Sequence, residues 1–289
     1  MDSAGPEFES ATGPVDLCHV VGGAIAPSEA PLVVTIHDLA FLHHPGMFTR
    51  HGLRFFRRAL QLTIERARLV FVPSMATLED CVAAGIDRAR LRHVPWGVTV
   101  SDPDADDVAA ARARFGLTGD YVVMVGTLEP RKNLLGMLEA WRLLGRDADL
   151  VVVGPEGWGD AIDPALVPDR LVKTGFVSAA VRDALYRGAA VSVYPSLFEG
   201  FGLPVLESMA LGCPVVTSSG TSTAELVVDG AGIAVDPTDP SAIADAIAGL
   251  LDDPSARQRT ADEARRRAST YTWERAASAV VDGYQAVLA

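Results

Sequence analysis

From residue 32 onward, short runs of β-branched and other apolar residues alternate with stretches in which apolar positions recur every three or four residues. The runs at 32–36, 69–72 and 91–95 are separated by helical patterns at 53–66 and 75–84. The second half repeats the alternation with runs at 121–125, 150–153, 171–174, 191–193, 214–217 and 232–235. Strands that alternate with helices predict parallel sheets, because neighbouring parallel strands need a long crossover connection. The runs are apolar at nearly every position, as strands covered by helices on both faces must be. Residues 243–251, 256–269 and 273–287 keep the three- and four-residue spacing and predict a helical C-terminus. The expected fold class is α/β with two Rossmann-like lobes.

Breaks in the pattern suggest where the lobes lie. Residues 1–14 are rich in Gly, Pro, Ser and acid and lack periodicity, so they read as a disordered leader. Residues 15–100 read as an N-terminal lobe. Residues 101–118 open on an acidic, Pro-containing stretch and read as a linker, and 119–289 as a C-terminal lobe that includes the terminal helices.

Composition narrows the function. With 289 residues, 49% of them hydrophobic, the chain can bury two cores. A net charge of −12 excludes general binding to nucleic acid, which needs a basic face. Cys18, Cys81 and Cys213 are odd in number and widely spaced, so neither a disulfide framework nor a zinc site is expected. No apolar run approaches the roughly 20 residues needed to span a bilayer. The first residues carry neither a basic nor an apolar signal region, and a cytoplasmic protein is expected.

In open parallel sheets, ligands sit beyond the carboxyl ends of strands, and three loops at such ends are unusual. After the run at 191–193, Glu199, Gly200, Phe201, Gly202 and Leu203 precede Pro204, which suits the first helical position, with Glu207 in the first turn. Glycines let backbone amides approach a ligand, and a helix N-terminus favours phosphate. A nearby carboxylate accepts protons from sugar hydroxyls. Either glutamate alone is equally well a solvated turn residue or a complement to the helix dipole; the constellation carries the reading. After 121–125 come Gly126, Thr127, Arg131 and Lys132, two adjacent cations suited to a diphosphate. After 171–174, Gly175, Phe176 and Val177 could border a nucleobase, with Ser178 as a helix N-cap. In the first lobe His37 follows a strand end, a place where a lone histidine is more often structural. The segment 51–68 is basic and amphipathic, either a solvated face or a membrane-facing one.

Taken in this order, the loops resemble the retaining nucleotide-sugar glycosyltransferases of the GT-B fold, family 4. The mannosyltransferases among them are resembled in particular through His37-Asp38-Leu39 and Glu129-Pro130-Arg131-Lys132-Asn133. The resemblance covers residues 15 to the C-terminus. It implies that Arg131 and Lys132 hold the donor diphosphate and Glu207 the ribose. Glu199, with the amides of Gly200, Phe201, Gly202 and Leu203, would hold the donor sugar. Gly126 and Thr127 would border the donor, Gly175, Phe176 and Val177 would line the base pocket, and His37 would lie near the anomeric carbon. The implied donor is GDP-mannose or a UDP-hexose. The acceptor is a hydroxyl of a sugar, a lipid-linked molecule or a small molecule. No metal or other cofactor is expected, since the cations can do a metal's electrostatic work.

The family also begins with a strand, a Gly-rich loop and a helix that have no counterpart ahead of His37. An incomplete N-terminal lobe is therefore expected, with self-association through unpaired sheet edges and, by the family's habit, peripheral membrane contact. Thr127 stands where many relatives have an arginine, a charge that Arg131 can supply. Two alternatives stay open: a nucleotide-sugar-binding module or partner subunit with little or no turnover, and a sugar-nucleotide epimerase.

Overall fold

Ten strands are present among the described residues, which are 8–25, 27–157 and 163–289 of this computed structural model. They form two sheets in which every strand pairing is parallel. The chain divides into one unit of Met1–Gly97 with Trp273–Ala289, and a second of Val98–Thr272.

In the first unit β1 (Cys18–Val20), β2 (Leu32–Thr35), β3 (Ala67–Val72) and β4 (Leu91–His93) lie in sequential order. Successive side chains leave a strand on opposite faces. Val34, Val70 and Val72 accordingly pack on Leu53, Phe56, Leu60 and Ile64 of the helix Arg50–Arg66. Val33, Leu69 and Phe71 pack on Ala276, Val280 and Tyr284 of the helix Trp273–Leu288.

The last helix, expected in the C-terminal lobe, thus belongs to the first unit. Gly283 permits its approach: a Cβ there would lie 2.5 Å from Phe71 Cζ. Inside the same seam, His19 Nδ1 sits 2.5 Å from the Tyr284 hydroxyl and its Nε2 sits 2.8 Å from Thr35 Oγ1.

Two further boundaries differ from the sequence reading. Within the expected leader, Phe8–Thr12 is helical; residues 1–7 lie outside the described residues. Phe8 packs against the first unit's core, and Glu9 Oε1 accepts from the Ser28 hydroxyl and the Glu29 and Ala30 amides. Within the expected linker, Ala105–Arg114 is a helix of the second unit. Its acidic run is capping chemistry: the Asp104 side chain accepts from the Asp106 and Asp107 amides, and Asp107 accepts in return from the Asp104 amide.

The second unit contains β5 (Tyr121–Val125), β6 (Asp149–Val153), β7 (Leu171–Gly175), β8 (Val191–Tyr194), β9 (Val215–Ser218) and β10 (Ile233–Val235). Val122 and Met124 face a cluster with Met137, Trp141, Ile243 and Ile247, while Tyr121, Val123 and Val125 face Ala111, Ala184 and Leu185. Burial of each Val, Leu, Ile or Met among them contributes about 1.5–3 kcal/mol. The strand order β10-β9-β8-β5-β6-β7 reverses direction between β8 and β5. In open sheets of this kind such a switch point is where ligands sit, beyond the carboxyl ends of the strands.

Candidate functional site

The two loops beside the switch point are bonded to each other. The chain leaves β5 through Gly126, makes a 3₁₀ turn at Pro130–Lys132, and enters the helix Leu134–Leu144 at Asn133, which is left-handed with φ 59°. Asparagine tolerates that conformation better than most residues, and here its side chain is fully used. Oδ1 accepts from the Gly136 amide at 3.2 Å, and Nδ2 donates to the carbonyls of Pro195 at 3.0 Å and Pro237 at 2.7 Å. The Leu197 amide donates to the Arg131 carbonyl at 2.8 Å. Arg131 and Lys132 are therefore fixed relative to Glu199, whose own carbonyl accepts from the Ser222 hydroxyl.

The side chains complete the arrangement. Lys132 and Glu199 are each only 8% exposed. Lys132 Nζ donates to Glu199 Oε1 at 2.6 Å and to the Tyr194 hydroxyl at 2.5 Å, and that hydroxyl donates to Glu199 Oε1 at 3.1 Å. Arg131 Nη1 reaches Glu199 Oε2 at 3.1 Å and the Phe198 carbonyl at 3.2 Å, while Nη2 reaches Glu129 Oε1 at 2.7 Å. Burial and the neighbouring Glu199 carboxylate hold the Tyr194 hydroxyl well above the ordinary tyrosine range, so it remains a proton donor.

The cluster differs from the sequence reading in one respect. Glu199, expected to accept sugar hydroxyls, directs both oxygens to the two cations expected at a diphosphate. With Glu129 included, two cations face two carboxylates. A carboxylate buried this deeply needs paired, hydrogen-bonded partners. The ammonium has three N–H groups, of which two are directed at Tyr194 and Glu199.

Further along, Gly202 is the N-cap of the helix Leu203–Ala210 with φ +107°, and a Cβ there would lie 2.6 Å from Thr223 Cγ2. Leu203 opens the helix and Pro204 follows it, so Glu207 is the fifth helical residue rather than a first-turn one. Phe201 is not a ligand-facing ring, since it is buried against Tyr271 with ring centroids 6.2 Å apart. Glu207 Oε1 lies 2.9 Å from Arg182 Nη1. Burial pushes the Glu207 carboxyl up from 4.5 to about 7; Arg182 opposes the shift and Asp183 adds to it.

At the end of β7, Gly175 has φ +65° and Phe176 is 82% exposed, while Val177 turns into the core and Ser178 caps its helix as expected. Thr127 lies beside Gly157, where a Cβ would meet Thr127 Cγ2 at 3.1 Å. Gly126 borders Lys132 and Tyr194. His37 belongs to the first unit: Nε2 is 2.7 Å from the Val21 carbonyl and the ring meets Trp96 edge-on at 5.2 Å.

The second unit thus gathers Gly126, Arg131, Lys132 and Glu199 at one place and sets Glu207 against Arg182. Sequence reasoning missed Glu129, Tyr194, Asn133, Arg182 and Asp183. Glu129 and Asn133 lay inside the quoted motif without a role of their own, and Arg182 and Asp183 gave a local signal as adjacent charges inside the apolar helical run Val181–Leu185. Among the described residues, no cluster of three His, Cys, Asp or Glu is placed to hold a metal ion, and no helix is long and apolar enough to cross a membrane.

Residues 108–267 match the family profile described as Glycosyl transferases group 1. The chain belongs to the group 1 glycosyl transferases. Residues 12–102 match a second profile, Glycosyltransferase Family 4. Among curated members, O-antigen chain mannosyltransferase B of Escherichia coli is 30% identical over 271 residues, spanning 88% of this chain and 70% of that one. The D-inositol 3-phosphate glycosyltransferase of Frankia alni is 36% identical over 207 residues, spanning 63% of this chain and 49% of that one. The chain therefore covers less than half the length of several such relatives.

Solved glycosyltransferases share the GT-B fold. HepE of Anabaena, crystallised with UDP and glucose, aligns with a TM-score of 0.77 at 21% identity, over 89% of this chain and 72% of that one. Sucrose-phosphate synthase of Thermosynechococcus elongatus aligns with a TM-score of 0.79 at 22% identity, over 97% and 75%.

Proposed function

We propose that this group 1 glycosyl transferase moves a hexose from a nucleoside-diphosphate sugar to a hydroxyl acceptor with retention of configuration, with GDP-mannose as the first-choice donor and a UDP-hexose as the second. The observation that carries the reading is the buried Arg131–Lys132–Glu199–Tyr194 cluster beside the β5/β8 switch point. The E. coli relative named as a mannosyltransferase supports the sugar, and the HepE complex with UDP and glucose supports the donor class.

In this reading the bond from the anomeric carbon to the diphosphate breaks as the bond to the acceptor oxygen forms on the same face. The acceptor proton passes to the departing phosphate oxygen. Negative charge grows on the leaving diphosphate, where Arg131 and the remaining N–H of Lys132 stabilise it more than they stabilise the bound donor. Glu207 accepts from the ribose. Glu199 and the amides at 200–203 lie on the donor-sugar side, and the exposed Phe176 ring borders the base. The helix Arg50–Arg66, with exposed Arg54, Arg57, Arg58 and Phe55, supports peripheral contact with an anionic lipid surface from the cytoplasmic side and hence a lipid-linked acceptor.

A thermal-shift and turnover panel of GDP- and UDP-sugars tests this directly. A donor at 100 times its Kd should stabilise by about 2.7 kcal/mol; no shift with any nucleotide sugar would sink the reading.

Glu207→Gln gives a second test with two readouts. Hydrogen bonds to a charged group contribute about 1.5–3 kcal/mol each, so nucleotide affinity should fall roughly tenfold to several hundredfold. Stability should move the other way. Because the folded-state carboxyl titrates at about 7, well above its ordinary value, its favourable contribution is present at low pH and lost as pH rises through about 7. Relative to wild type, the glutamine variant should therefore melt higher at pH 8 than at pH 5. Calorimetry showing the opposite order would contradict this account of Glu207.

A further inference from the structure

We propose that Arg182 is a positioning residue for nucleotide binding, held in line by Asp183 so that it orients the Glu207 carboxylate toward the ribose. The inference rests on the donor-site reading above and adds to it a residue that the loop motifs do not contain.

Residues one apart do not face each other on a helix. Yet within the helix Ala179–Gly188, Arg182 Nε and Nη2 both reach Asp183 Oδ1, at 2.9 and 2.8 Å. Tertiary partners account for the pairing. Asp183 is 1% exposed, and its Oδ2 accepts from both the amide and the hydroxyl of Ser101, at 2.8 and 2.9 Å. Both carboxylate oxygens of Asp183 are thereby engaged, one edge of the guanidinium is fixed, and Nη1 lies 2.9 Å from Glu207 Oε1. A planar fork held along one edge sets the direction of its remaining N–H groups. Glu207 Oε2, by contrast, has no protein partner among the described residues and is not among the buried unpaired atoms. One oxygen is pinned and the other is presented.

The electrostatics give the pairing a purpose. The helix Ala179–Gly188 places Arg182, Asp183 and the Tyr186 hydroxyl around Glu207. From the helix Pro254–Ala268, which packs on the helix Leu203–Ala210 that carries Glu207, Arg265 reaches Gly212, beyond the far end of that helix. Arg182 is thus the cation that counters burial and the like charge of Asp183 at this carboxylate.

Titration calorimetry of the full chain with GDP and with UDP between pH 6 and 9, and with inorganic pyrophosphate as a ribose-free probe, tests the proposal. An opposite charge at this distance lowers a carboxyl pKa by about one unit or more. Arg182→Met should therefore move the midpoint of the pH dependence of nucleotide binding up by about one unit and weaken binding about tenfold near pH 7. Pyrophosphate binding should be unchanged, and Arg182→Lys should restore most of the loss. Asp183→Asn removes the like charge beside Glu207 and should move the midpoint down, the opposite sign to Arg182→Met, and Arg182→Gln serves if the methionine variant does not fold.

An unmoved midpoint, or an equal loss for pyrophosphate and nucleotide, would mean that Arg182 is only a structural ion pair. If Glu207→Gln weakens nucleotide binding while the Arg182 variants do not, the inference fails alone. If the wild-type chain binds neither nucleotide, the donor-site reading fails and takes the inference with it.

Discussion

Replacing Lys132 by Met is expected to lower donor turnover about 10²- to 10³-fold, the range seen when one preorganised donor is removed from a site of developing negative charge. Two of the three ammonium N–H groups hold Tyr194 and Glu199, so the third has a fixed direction before any ligand arrives, and little reorganisation is needed at the moment of reaction. The structural cost should be smaller than the roughly 3–5 kcal/mol of an orphaned buried charge, because Glu199 keeps Arg131 and Tyr194 as partners. Turnover and thermal midpoint should be measured on the same samples. The double variant Lys132→Met with Glu199→Gln then decides between two roles. Recovered stability without recovered turnover means that Lys132 acts on the diphosphate. Recovered turnover would reduce Lys132 to a counter-ion for Glu199.

The second large effect is expected at Gly154→Ala. Gly154 follows β6 with φ +144°, and a Cβ there would lie 2.1 Å from the Gly126 carbonyl oxygen and 2.7 Å from its carbon. Both obstacles are backbone, so no rotamer change relieves them. The strand ends are also bonded in series, Gly126 N to the Val153 carbonyl at 2.9 Å and Gly154 N to the Gly175 carbonyl at 3.1 Å. Alanine must push the 126–133 loop away, and that loop carries Arg131 and Lys132. A loss of about 3 kcal/mol is expected, toward the upper end for overpacking, which is roughly 6–12 °C in thermal midpoint for a unit of this size. Turnover should be lost even below the new midpoint. Gly116→Ala is the matched control. Its φ is +68° but a Cβ would meet nothing within 4 Å, so only about 1–2 kcal/mol of backbone strain is expected. Equal losses at the two positions would rule out the clash as the cause.

Much of this was legible in the sequence. The strands of the second unit stood out because both faces are buried, which makes runs such as Tyr121–Val125 apolar throughout. The loops stood out because glycine and paired charges are rare at strand ends without a reason. The partner of each charge was not legible: Lys132 and Glu199 lie 67 positions apart, and no local pattern encodes that pairing. Nor does periodicity say which sheet a helix covers. The amphipathic spacing of Trp273–Leu288 identified a helix, but its sheet was decided by the uncovered face of Val33, Leu69 and Phe71 and by Gly283. The acidic run at 104–107 was misread for a different reason, since a capping box and a solvated linker draw on the same residue types.

The return of the last helix to the first unit also sets an order of events during synthesis. A ribosome releases β1 to β4 early but the helix that closes their second face only after all of Val98–Thr272 has emerged. The intervening unit is suited to finish first, because its ends meet: the Val98 amide donates to the Tyr271 carbonyl at 3.2 Å. Throughout that interval Val33, Leu69 and Phe71 lack their permanent cover, the kind of transiently exposed apolar surface that draws nascent chains together.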